Sequence, residues 1–193
     1  MPSPSPASSG AGANQARCDL WEAHQRAEFE LKDADAAIDT MTAEPSLVHV
    51  PIGAGAFGRE ALRRFYAEVF IPQLPDDIEP QVVTRTVTGD RLIEEFVLRY
   101  THTVRMDWAT PGVPPTGQRV AVPHVAVIDF HEGLIAAERI WWDQATLLAQ
   151  LGILPDGFPV LAARQADRVL DPSAPANPLE PPARVRTPPG TAV

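Results

Sequence analysis

Glu138-Arg139-Ile140-Trp141-Trp142-Asp143-Gln144-Ala145-Thr146-Leu147-Leu148-Ala149-Gln150-Leu151 is the stretch whose reading decides the fold. Leu134 to Asp143 is rich in branched and aromatic residues and reads as a strand. Leu147, Leu148 and Leu151 then follow helical spacing, with Gly152 just past the end. Two indoles and a carboxylate therefore sit where a strand gives way to a helix. Alternation puts Arg139, Trp141 and Asp143 on one face of the strand, and Glu138, Ile140 and Trp142 on the other. An unpaired buried carboxylate is costly, so Asp143 needs a partner, water or a task. Two readings stand side by side: Asp143 caps the following helix, or it projects into a pocket walled by Trp141.

Working outward, His131-Glu132-Gly133 turns the chain into this strand from a long one, Arg119 to Phe130, which carries His124. Pro123 within it implies a bulge or an edge. Upstream lies a loop over Asp107 to Gln118, stiffened by Pro111, Pro114 and Pro115 and carrying Trp108. Before it come strands at Gln81 to Thr88 and Arg91 to about Arg105, joined by the turn Gly89-Asp90. The second contains Glu94, Glu95 and His102. Short turns between strands imply an antiparallel meander.

Toward the N-terminus a helix is expected from Arg17, with Leu20, His24, Ala27 and Leu31 on its inner stripe and Trp21 and Phe29 beside it. His24 reads there as a core or boundary histidine. A short helix over Ala34 to Thr42 capped by Asp33, and a short strand Leu47 to Pro51 carrying His49, follow. Gly53-Ala54-Gly55-Ala56-Phe57-Gly58 matches the dinucleotide fingerprint. The βαβ unit that this fingerprint requires is missing, because the next helix, about Arg59 to Ile71 with Leu62, Phe65, Tyr66 and Val69 inward, stops at Pro72. The glycines read as a turn into that helix. The class is α+β. The expected organisation is a disordered tail over 1–16, one domain over 17–170 ending in a helix over Leu161 to Leu170, and a Pro-rich disordered tail over 171–193.

Composition narrows the function classes. The chain has 193 residues and a net charge of −9, with no Lys/Arg run, which argues against nucleic acid as a partner. A single cysteine, Cys18, excludes an internal disulfide and a cysteine-built metal site. No apolar run reaches membrane-spanning length and the first residues do not form a secretory leader, so a cytoplasmic protein is expected. His49, His102, His124, Asp129 and His131 are spread over different strands without a metal-ligand spacing, so no metal is expected.

In this order of elements, Phe65-Tyr66, Thr101-His102-Thr103, Pro111-Gly112-Val113-Pro114-Pro115-Thr116-Gly117 and Glu138-Arg139-Ile140-Trp141-Trp142-Asp143-Gln144 resemble the SnoaL-like polyketide-cyclase family, within the nuclear-transport-factor-two-like superfamily. The resemblance covers roughly Arg17 to Leu154. It implies a cone-shaped curved antiparallel sheet closed by N-terminal helices around an apolar pocket. It also implies chemistry without a cofactor, in which a late-strand aspartate, by position Asp143, is the general acid/base. Epoxide hydrolases of the superfamily share a Trp-x-Asp like Trp141 and Asp143, but their Arg and Asp two apart have no counterpart in Glu94-Glu95-Phe96-Val97. Fold alone does not choose a reaction.

The expected site therefore has Asp143, His102 and Glu95 as acid/base groups, and His49, Tyr66, Trp108 and Trp141 as substrate-binding residues. Glu95 and His102 reach one pocket only if their strand carries a bulge; otherwise Glu94 shares the face of His102. The role of Trp142 stays open. The expected function is a cyclase, isomerase or hydratase acting on an apolar carbonyl compound. The alternative is a non-catalytic ligand binder. A homodimer is expected, since a bent sheet with apolar residues on both faces must cover its outer one.

Overall fold

The computed structural model describes residues 6–155, 157–160 and 165–175. Its elements are α1 (Pro6–Arg26), α2 (Ala34–Asp39), β1 (Met41–His49), β2 (Ala54–Phe57), α3 (Arg59–Phe65), β3 (Glu79–Thr88), β4 (Arg91–Thr101), β5 (Arg119–His131), β6 (Leu134–Trp142), α4 (Gln144–Gln150) and α5 (Gln165–Leu170). The six strands form one curved, unclosed sheet in the order β2-β1-β6-β5-β4-β3. β3 to β6 are the expected antiparallel meander. β1 starts at Met41, earlier than expected, and lies parallel to β6.

Several expectations are corrected. α1 starts at Pro6 rather than at Arg17; Ala7, Ala11, Ala13 and Ala16 are strong helix formers that offset Gly10 and Gly12. Residues 1–5 and 176–193 of the expected tails, and 161–164 of the expected last helix, lie outside the described residues. The buried stripe of α1 is Trp21, His24, Ala27 and Glu28, while Leu31 is exposed. Gly53–Phe57 is more than a turn: Ala54–Phe57 pairs with β1 as a hairpin. Gly55, at φ 142°, sits so close to β1 that a Cβ there would lie 2.0 Å from the Leu47 carbonyl oxygen. Any other residue would force the hairpin apart.

Pro123 sits inside β5 without breaking its register with β4. Pairing of β5 with β6 begins only at His124 and Trp142. Past that point the Gln150 side chain takes over, accepting from Ala121 N (2.8 Å) and donating to Ala121 O (2.9 Å). Pro123 shares the parity of Ala121, so its missing N–H falls where no strand awaits it.

The register positions the interior side chains. Across β1, β6, β5 and β4 one row reads Leu47, Glu138, Ile128, Leu92; the next reads His49, Ile140, Ala126, Glu94; the next reads Trp142, His124, Phe96. β4 has no bulge against β5, so Glu94 faces inward and Glu95 outward. The inner carboxylate has its donors: Trp21 Nε1 (3.1 Å) and Gln25 Nε2 (2.8 Å) on one oxygen, Arg85 Nε (2.5 Å) on the other. Glu94 is thus a bolt between α1, β3 and β4.

Candidate functional site

Both helices that cover the interior face widen into a π turn where they meet it. α1 continues as Ala27–Leu31 and α3 as Tyr66–Phe70; such turns recur at functional sites because they re-aim side chains. α1 brings His24 and Glu28, the second turn begins with Tyr66, and β6 brings Glu138. All four are buried, His24 and Tyr66 with no exposed surface at all.

Their polar atoms converge. His24 Nε2 lies 3.2 Å from Glu28 Oε1 and 3.1 Å from Glu138 Oε1. Tyr66 Oη donates to Glu138 Oε1 (3.2 Å) and lies 3.3 Å from His24 Nε2. The other ring nitrogen has a defined task. Thr40 Oγ1 gives its hydrogen to Ala37 O (2.6 Å), so His24 Nδ1, at 2.7 Å from that hydroxyl and 3.2 Å from the carbonyl, must be the donor to both. Nδ1 carries a hydrogen, and Nε2 is left to the carboxylates. Trp21 stacks on the ring at 5.5 Å and holds its plane.

Burial alone would pull the His24 pKa down, but Glu138 and Glu28 outweigh it and hold it well above the usual imidazole value. Burial pushes the Glu28 carboxyl up, with His24 opposing. Burial, then Glu138 and Glu28, push the Tyr66 phenol well up. The cluster therefore holds protons that a solvated set of the same groups would not.

Glu28 and Glu138 line a small apolar cavity between the helices and the sheet. Phe29, Phe70, Phe96, Trp108, Ile140 and Trp142 supply much of its wall. His49 and His124 face it one and two rows along the sheet from Glu138. Both are neutral imidazoles. Burial, with His124 adding, pushes His49 down to about 3; burial pushes His124 down to about 4. His124 Nδ1 donates to Val122 O (2.8 Å), while His49 Nδ1 is buried with no partner among the described residues.

Of the residues expected in the site, His49 and Trp108 line this cavity, and Tyr66 belongs to the cluster at its base. Asp143 does not reach it: this exposed carboxylate caps α4, accepting from Thr146 N (3.2 Å) and Thr146 Oγ1 (2.6 Å). Trp141 points to the outer face and is 37% exposed, whereas Trp142, left open above, is the wall. Glu95 lies on the outer face and, among the described residues, takes only a long bond from Thr84 Oγ1 (3.5 Å). His102 is buried apart from the cavity, its Nδ1 facing Thr116 N (3.2 Å) and Thr116 Oγ1 (3.1 Å) in the proline loop. His24, Glu28 and Glu138 were missed. The available signal was His24 and Glu28 at i, i+4 on one helix, together with an acid in the middle of an apolar strand.

A curved sheet with helices over its concave face and an apolar cavity between them defines the nuclear-transport-factor-two-like class. The chain belongs to the SnoaL-like polyketide cyclase family, whose sequence profile matches residues 22–151. Among solved structures, a candidate SnoaL-like polyketide cyclase from Jannaschia sp. CCS1 superposes with a TM-score of 0.60 at 22% identity, covering 80% of this chain and all 100% of that one. A hypothetical protein with a ketosteroid isomerase-like fold from Catenulispora acidiphila DSM 44928, in complex with trimethylamine, gives 0.55 at 20% identity, covering 72% and 97%. A protein of unknown function from Burkholderia pseudomallei K96243 gives 0.54 at 13%, covering 70% and 97%. No curated protein matches. Among the described residues no helix is long and apolar enough to cross a membrane.

Proposed function

We propose that this chain is an acid/base enzyme of the cyclase, isomerase or hydratase type, acting without a cofactor on a small apolar carbonyl compound. One observation supports this above the rest: the carboxylates of Glu28 and Glu138 and the phenol of Tyr66 all lie within 3.3 Å of His24 Nε2, or of one another, beside an apolar cavity. Removal of a proton next to a carbonyl and its return elsewhere needs two such groups in reach of one carbon. The open carboxylate oxygens of Glu138 and Glu28 would take the proton, and His24 Nε2 would carry it between them. Tyr66 would steady Glu138 through its hydroxyl. Positioned groups of this kind contribute about 10²–10⁴-fold. Asp143 has no part in this chemistry, because its oxygens serve α4. The working form would be a homodimer through the outer sheet face, where Trp141 sits beside Val125, in the cytoplasm.

The test is carbon–deuterium exchange. A panel of apolar enolisable ketones and esters is incubated with the protein in D₂O, and incorporation next to the carbonyl is read by mass spectrometry. Catalysed exchange that falls at least about a hundredfold in Glu138→Gln is expected. Exchange equal in the parent and in Glu138→Gln would overturn the assignment. Ligand binding without any exchange across the panel would favour a pure binding role.

A further inference from the structure

We infer that His24, Glu28 and Glu138 also form a site for one divalent transition-metal ion, at the base of the cavity. This goes beyond proton transfer and does not rest on it. One imidazole nitrogen and one oxygen from each carboxylate lie within 4.8 Å of one another, all on buried residues. Metal–ligand bonds of about 2.1 Å place adjacent ligand atoms about 3.0–3.5 Å apart; the two separations from His24 Nε2 are 3.1 and 3.2 Å.

The orientation of His24 argues the same way. A metal-binding histidine gives its other N–H to a carbonyl or similar acceptor, which fixes the tautomer and turns the lone pair to the ion. His24 Nδ1 is held in this way by Thr40 and the Ala37 carbonyl. Its Nε2 is thereby aimed at two carboxylate oxygens, an arrangement that needs a cation between them. A proton can serve, and so can a metal. With neutral imidazole the three ligands carry two negative charges, which a divalent ion balances in a site too buried for water to do so. One further nitrogen at the same cavity is free to bind: Nδ1 of His49, a residue 4% exposed, makes no hydrogen bond among the described residues. One nitrogen and two carboxylate oxygens suit Zn²⁺, Co²⁺ or Mn²⁺ better than Mg²⁺. Proton and metal are alternative occupants of one place, so a bound ion would silence the proton exchange proposed above.

The experiment uses the full chain, stripped with a chelator that is then removed, and titrated with Zn²⁺ and with Co²⁺. Calorimetry should show one site per chain, and Co²⁺ should develop a visible absorption band. Glu28→Gln and Glu138→Gln, which keep shape but lose a charged ligand, should each weaken binding at least tenfold while melting as cooperatively as the parent. Should either variant fail to fold, Tyr66→Phe serves in its place: it opens the Glu138 oxygen and should retain one-site binding. No saturable binding, or affinity unchanged in both glutamine variants, would overturn the inference. Deuterium exchange by the metal-free protein is read separately, so either proposal can fail while the other stands.

Discussion

His49 and His124 make this protein sensitive to acid. Both are held neutral, at about 3 and about 4 against a usual 6.5. Burial is the main cause for each; His124 adds to it at His49, and the Val122 carbonyl opposes it at His124. Unfolded, each ring takes a proton below pH 6.5; folded, neither does until the pH nears its own lowered value. Stability is therefore lost as pH falls through 6.5, and the loss continues to about 4 for His124 and about 3 for His49. Each pH unit in that window costs about 1.4 kcal/mol per histidine. Near pH 5 the pair would cost about 4 kcal/mol, a large part of the 5–15 kcal/mol that holds a typical domain. Glu28, raised above its usual 4.5, has the opposite sign and gains stability as the pH falls toward 4.5, whereas His24, raised above 6.5, makes its gain above 6.5 and adds no change below it. The measurement is therefore a difference. Urea unfolding of the parent and of a His49→Gln/His124→Asn double variant is compared at about pH 7 and about pH 5. Asn can still donate to the Val122 carbonyl but cannot titrate. The parent should lose about 4 kcal/mol more than the variant between the two conditions; equal losses would refute the reasoning.

Further outcomes follow from individual contacts. Asp143→Ala should cost about 1 kcal/mol and Asp143→Asn only a few tenths, because either Asp or Asn can cap α4; a large and equal loss in both would contradict the capping role. Glu94→Ala should cost about 3 kcal/mol, as it leaves Arg85 only its exposed partner Glu22 and leaves Trp21 Nε1 and Gln25 without their acceptor; thermal melting reads this directly. Gly55→Ala should destabilise the β1–β2 hairpin by about 1–3 kcal/mol, visible as faster hydrogen exchange of the β2 amides. Light scattering should give a dimer that Trp141→Glu converts to monomer, and a parent already monomeric at micromolar concentration would remove the outer-face interface.

The order of elements was legible because local signals carry it. Gly89-Asp90 and His131-Glu132-Gly133 turn the chain where the strands end, and Asp33 and Asp143 cap the helices that follow them. The site was only half legible, because alternation sorts residues into two faces without saying which face is inside. In β6 the two sets were read correctly and the wrong one was turned inward. A clue lay in Arg139, which shares the face of Trp141 and reaches Asp129 across the sheet (2.7 Å), as a half-exposed pair on an outer face does. In β4 even that clue is missing. Glu94 and Glu95 each have apolar residues two positions away on both sides, and either could have been the buried one. What decides is a count of donors. A carboxylate enters the interior only where hydrogen-bond donors meet it, and those of Glu94 come from Trp21 and Gln25 on α1 and from Arg85 on β3. On the same helix, one turn along, His24 plays that part for Glu138. The two inward acids are therefore placed by a single helix, far away in sequence. Its stripe of Trp21, His24, Gln25 and Glu28 makes sense only as the complement of a sheet that places two carboxylates beneath it.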